Sequence, residues 1–120
     1  MAKLAPVAVV ETPDFLAAAR KLMDEEDRAS LVLYLAHNPE VGDLVQGTGG
    51  VRKLRWRLEG RGKRGGARVI YYFHSERLPL FALDVYAKNE KTDLTRNEVA
   101  RLRGLVKMIP EGYVKRGGRA

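Results

Sequence analysis

The spacing of apolar residues changes period along the chain, and each change marks an element. Residues 7–11 (VAVVE) are β-branched and bounded by Pro6 and Pro13, which predicts an opening strand. Thr12, Pro13 and Asp14 then supply a capping hydroxyl, a proline at the first helical position and an acid favoured by the helix dipole. Phe15, Ala18 and Leu22 follow at helical spacing. A second helical run, from about Glu26 to His37 through Leu31, Tyr34 and Leu35, stops at Asn38-Pro39. Together they predict a helical hairpin.

A polar, glycine-rich connection (VGDLVQGTGG) comes next, and the period drops to two. Over 51–58, Leu54, Trp56 and Leu58 share one face and Lys53, Arg55 and Arg57 the other, the mark of a half-buried strand. Residues 68–74 and 80–87 read as two more strands. Thr95 and Glu98 form a capping box that opens a helix with Val99, Leu102, Val106 and Ile109 on one side, and Pro110 is expected to end it. The expected fold is α+β in the order β-α-α-β-β-β-α, a small antiparallel sheet with an N-terminal helical hairpin and a C-terminal helix. Residues 1–110 would form one domain, a length sufficient for a single core, and 111–120 a mobile basic tail.

Registers follow from matching apolar faces, because a one-residue slip turns every side chain over. In the first hairpin this sets Trp56 against Tyr71, Leu58 against Val69, Arg55 beside Tyr72, Arg57 beside Ile70 and Glu59 beside Arg68. In the second it pairs Val69 with Val85, Tyr71 with Leu83, Phe73 with Phe81, Arg68 with Tyr86 and Ile70 with Asp84. The outcome is one oily face for the helices and an opposite face bearing Lys53, Arg55, Arg57, Arg68, Tyr72 and Tyr86.

Charge sharpens this picture. Residues 51–68 carry eight Lys or Arg and one Glu; subtracting them from the totals of 22 bases and 15 acids leaves 14 of each, so the formal excess of +7 is local. Such a face suits RNA: guanidinium forks hold phosphates, and aromatic rings stack on unpaired bases. Arg52, Lys53 and Tyr72 are candidate RNA contacts, and so are Arg61, Lys63 and Arg64 in the loop GRGKRGG, a flexible basic tip. Gly60, Gly62 and Gly65 match the dinucleotide spacing, yet the loop leads into a strand rather than a helix and carries no Ser or Thr after its lysine. No nucleotide cofactor is expected. The chain has no cysteine, which removes thiol chemistry and disulfides, and its two histidines, His37 and His74, are isolated, a poor basis for a metal site. The N-terminal apolar run meets Glu11 and Asp14 too early for a signal peptide and is too short to span a bilayer, so a cytoplasmic protein without a membrane partner is expected.

The stretches GGVRKLRWRLEGRGKRGGARVIYYF and LDVYAKNEKTDLTRNEVARL resemble the RelE/HigB branch of bacterial type II toxins, within the RelE/ParE superfamily, over about residues 47–109. The resemblance implies the same sheet-and-helices fold, a cognate antitoxin, and endoribonucleolytic cleavage of mRNA, commonly on the ribosome. It also implies site residues: Arg55 and Arg57 on the strand before the hairpin, Arg68 opening the next strand, and Lys88 beyond the last strand, with Lys91 close by. Where such toxins often carry a tyrosine near the final helix this chain has Leu94, and Tyr86 is the alternative. Attack of a ribose 2′-hydroxyl on phosphorus needs one proton accepted, one donated and the phosphorane charge offset. Arginine, with a pKa above about 12, suits the charge and not the proton traffic. Lys88, Lys91 or Tyr86 would move protons, their pKa values depressed by the neighbouring cations. Two rival readings are a ParE-type toxin that binds gyrase without cutting RNA and a non-catalytic RNA-binding module.

Overall fold

The computed structural model describes residues 5–58 and 66–117, with side chains described through residue 109. It runs β1 (Val9–Glu11), α1 (Pro13–Leu22), α2 (Glu25–His37), β2 (Asp43–Leu44), β3 (Val51–Trp56), β4 (Ala67–Tyr72), β5 (Leu80–Ala87) and α3 (Arg96–Gly117). The expected order is present, with the two-residue edge strand β2 added inside the glycine-rich connection. A single sheet forms in the order β1-β5-β4-β3-β2, antiparallel except that β1 runs parallel to β5.

Local chemistry explains the helix starts. The Thr12 hydroxyl accepts the Phe15 N–H at 3.2 Å and donates to the Ala82 carbonyl at 2.8 Å, so one side chain caps α1 and ties it to β5. Asp24 caps α2 through the Asp27 N–H at 2.8 Å. Thr95 and Glu98 exchange the two bonds of the capping box at 2.8 and 3.1 Å. Pro110 does not end α3, which continues to Gly117. The missing proline N–H removes one rung, and the rungs on either side carry the helix across it.

Both faces of the sheet are packed, which corrects the picture of one oily face. Phe15, Ala19 and Leu22 of α1 and Leu31 and Leu35 of α2 cover Val69, Tyr71, Ala82 and Val85. On the other side Leu102 and Val106 of α3 cover Val51, Ile70, Tyr72, Leu83 and Tyr86. The charged face is therefore half roofed by α3, and among the described residues its end near Gly66 is not covered by that helix. Among the described residues no helix is long and apolar enough to cross a membrane.

The second hairpin keeps the expected partners from Arg68↔Tyr86 to Ile70↔Asp84. A bulge then shifts the register to Tyr71↔Ala82 and Tyr72↔Phe81, replacing the expected Tyr71–Leu83 and Phe73–Phe81 pairs. In the first hairpin the partners are Arg55↔Arg68 and Trp56↔Ala67, four residues from the expected register. A slip of four keeps every side chain on its own face, so face matching could not separate the two registers. β4 begins directly after Gly66, whose φ of +76° is left-handed and where a Cβ would lie 2.7 Å from the Trp56 carbonyl.

Candidate functional site

At the uncovered end of the α3 face lies a cleft of about 540 Å³ lined by Arg55, Trp56, Arg57, Leu58, Gly66, Arg68 and Lys88. Four of the six predicted catalytic residues meet there, and among the described residues no carboxylate lines it. Arg55 and Arg68 stand directly opposite each other across β3 and β4, and Arg57, the first residue past the end of β3, lines the same cleft. Lys88 is fixed at the wall because its N–H bonds the Gly66 carbonyl at 3.2 Å, extending the β4–β5 ladder one step beyond the strand.

Arg68 is the unusual member. Only 8% of it is exposed, and among the described residues it makes no ion pair. Like charges facing each other across a pair of strands destabilise it, and a nearly buried cation without a counter-ion costs more. Both costs fall when an anion enters the cleft. Phosphate oxygens fit, since guanidinium presents paired donors matched to their spacing.

Tyr86 and Lys91 do not line the cleft. Tyr86 pairs across the ladder with Arg68, is 8% exposed, and its hydroxyl is buried without a hydrogen-bond partner among the described residues. The Lys91 Nζ sits 4.8 Å above the Tyr86 ring and pairs with Glu98. Burial pushes the Tyr86 phenol up from its ordinary value, Asp93 adds to the rise, and the opposing effect of Arg68 is smaller. The expected depression by neighbouring cations is thus reversed, because removing the phenolate from water outweighs one guanidinium. Burial therefore favours the neutral phenol at Tyr86.

The predicted RNA contacts divide similarly. Lys53 is held by Asp93 at 2.9 Å. Arg52 points to the other face and donates to the carbonyls of Glu40 and Gly42 at 3.0 and 2.7 Å, which makes it a tie for the loop before β2. Tyr72, 3% exposed beneath α3, is a core residue with no surface on which a base could stack. Arg61, Lys63 and Arg64 lie outside the described residues. Sequence reasoning missed Gly66 and Leu58 as cleft walls and Asp93 as the partner of Lys53; the glycine was legible as the last one before a strand, whereas nothing local marked Asp93.

The family described as "RelE toxin of RelE / RelB toxin-antitoxin system" matches residues 17–113. Among solved structures, that of an E. coli toxin RelE mutant in the free state is similar at 19% sequence identity and a TM-score of 0.55, covering 88% of this chain and 99% of that one. The structural likeness carries the fold, and the family match spans both the cleft and the helices around it. The chain belongs to the RelE toxin family and is a toxin of a toxin–antitoxin system.

Proposed function

We propose that this toxin is an mRNA endoribonuclease whose reaction runs in the cleft of Arg55, Arg57, Arg68 and Lys88. The observation that carries this reading is the pair Arg55 and Arg68, set side by side with Arg68 nearly buried and, among the described residues, no acid lining the cleft. A folded chain keeps such an arrangement where an anion supplies the missing charge.

In this reading the arginines grip the scissile phosphate and its neighbour. The ribose 2′-oxygen attacks phosphorus and gives up its proton to water in the open cleft. As the bond from phosphorus to the 5′-oxygen breaks, the guanidinium groups offset charge on the equatorial oxygens. The departing 5′-oxygen takes a proton from the Lys88 ammonium, the group lining the cleft whose chemistry allows transfer. The products are a 2′,3′-cyclic phosphate and a 5′-hydroxyl. Tyr86 stands beside Arg68 on the neighbouring strand and takes no proton. The groove on the ribosome that presents mRNA to such toxins is the expected setting.

Purified toxin incubated with ribosome-bound mRNA should produce fragments with cyclic or 3′-phosphate ends. Arg68→Ala should suppress them, and Lys88→Arg, which keeps the charge without the proton transfer, should bind RNA and cut slowly. Full cleavage by Arg68→Ala would reject the site. Inhibited supercoiling by gyrase with RNA left whole would select the ParE-type reading instead.

A further inference from the structure

The face of β3 that bears Arg55 bears one more cation. Lys53 lies two residues before Arg55, about 6.6 Å away at ~3.3 Å per residue, close to the separation of successive phosphates in an extended strand. Across the ladder it faces Ile70, where Arg55 faces Arg68. Its ammonium donates to Oδ1 of Asp93 at 2.9 Å. Asp93 belongs to the segment between β5 and α3, and its side chain is 66% exposed.

This pair does little to hold that segment in place. An exposed ion pair shifts an equilibrium by about fivefold at most. The segment has firmer ties: the Lys88 N–H bonds the Gly66 carbonyl, those of Glu90 and Lys91 reach the Ala87 carbonyl at 3.1 and 3.2 Å, and Thr95 and Glu98 close the capping box. Oδ1 of Asp93 also accepts the Leu94 N–H at 2.8 Å, a bond that an asparagine would keep. The Asp93 carboxyl is held below its ordinary range by the Lys53 bond first and the Leu94 N–H next, and Arg68 adds a smaller pull. Its charge therefore stands in the field of the cleft as well as on Lys53.

We propose that Lys53 is a phosphate subsite one linkage along the RNA from the scissile bond, and that Asp93 fills it in the free toxin until a phosphodiester takes the carboxylate's place. The inference rests on the endoribonuclease reading and adds where the strand runs beyond the cleft. One anion replaces another, so the ammonium is never left bare. A carboxylate already two thirds exposed returns to water at little cost. The incoming phosphate is tethered to one that Arg55 and Arg68 grip, and it binds as an intramolecular neighbour. A lone anion has no such tether, so Asp93 favours polymer over stray phosphate.

The test uses the full chain in cleavage of ribosome-bound mRNA, titrated with toxin across a salt series, half-saturation reporting affinity. Asp93→Asn should lower the half-saturating concentration by up to about fivefold. Lys53→Gln should raise it severalfold and make its salt dependence shallower by about 0.7 in logarithmic slope, one phosphate contact. In the double variant the gain from Asp93→Asn should vanish, because no ammonium remains to be released. A message with an uncharged methylphosphonate at the linkage beside the scissile one should cost the wild type the same severalfold and cost Lys53→Gln nothing. Circular dichroism should match the wild type in every variant. Unchanged affinity and slope in Lys53→Gln, with cutting still suppressed by Arg68→Ala, would overturn the subsite and leave the endoribonuclease reading standing. A lower plateau rate in Asp93→Asn, regained by the reversed pair Lys53→Asp with Asp93→Lys, would make the pair a strap and overturn the subsite too. A wild-type toxin that leaves the message whole would end both.

Discussion

Arg68 combines three conditions that rarely coincide: it faces another arginine, it is 8% exposed, and it has no ion-pair partner among the described residues. Replacing Arg55 by Gln should therefore raise the melting temperature of the free toxin by up to a few degrees, since one like-charge contact across strands is relieved. The same change should lower cleavage by about 10²-fold, the usual loss when one charge-stabilising donor is removed from a transition state. Calorimetry and a cleavage assay on one sample check both signs, and they oppose each other as functional strain requires. Gly66 is a second position of this kind. A side chain there meets the Trp56 carbonyl and a left-handed φ together, so Gly66→Ala should cost about 1–3 kcal/mol in denaturant unfolding and distort the cleft wall.

At the level of elements, the capping box of α3 ties the helix that roofs the sheet to the segment that follows β5. Glu98 accepts the Thr95 N–H and pairs with Lys91, and these bonds, the Lys91 one foremost, hold its carboxyl below the ordinary range. A depressed carboxyl contributes stability that is present above its unfolded value and lost as pH falls through the folded one. Asp84 has the opposite sign: burial raises it, so its contribution is present below its unfolded value and lost as pH rises. Glu98→Gln should accordingly lower stability at pH 7 and flatten the acid limb of the unfolding curve. Asp84→Asn should stabilise the free toxin at pH 7. Thermal unfolding of both variants between pH 3 and 7 separates the two effects. The capping box was legible because its residues lie three apart. The first-hairpin register was not, because apolar alternation repeats every two residues and accepts any even slip.

Over the whole molecule, the local excess of positive charge becomes a prediction about salt. Among the described residues four cationic side chains line the cleft, so their contribution should make RNA affinity fall with ionic strength at a logarithmic slope near −3, about −0.7 for each phosphate engaged. Arg68→Ala should make that slope shallower by about one contact, whereas Arg52→Ala should leave it unchanged, its guanidinium being spent on the carbonyls of Glu40 and Gly42. Filter binding across a salt series distinguishes them.

The sequence by itself determined the succession of elements apart from the two-residue β2, the helix caps, and which face of β3 carries Lys53 and Arg55. These depend on contacts within a few residues and on a period that only one backbone geometry satisfies. Tertiary structure alone decided that Arg55 opposes Arg68, that α3 buries Tyr72 on the face expected to meet RNA, and that Lys53 is held by Asp93 just before α3 and Lys91 by Glu98 in its first turn. Charge and alternation state what a side chain is and which way it turns. Which neighbour it meets, and how much water remains around it, depends on residues 40 positions away in the case of Lys53 and Asp93, and no local pattern encodes that distance.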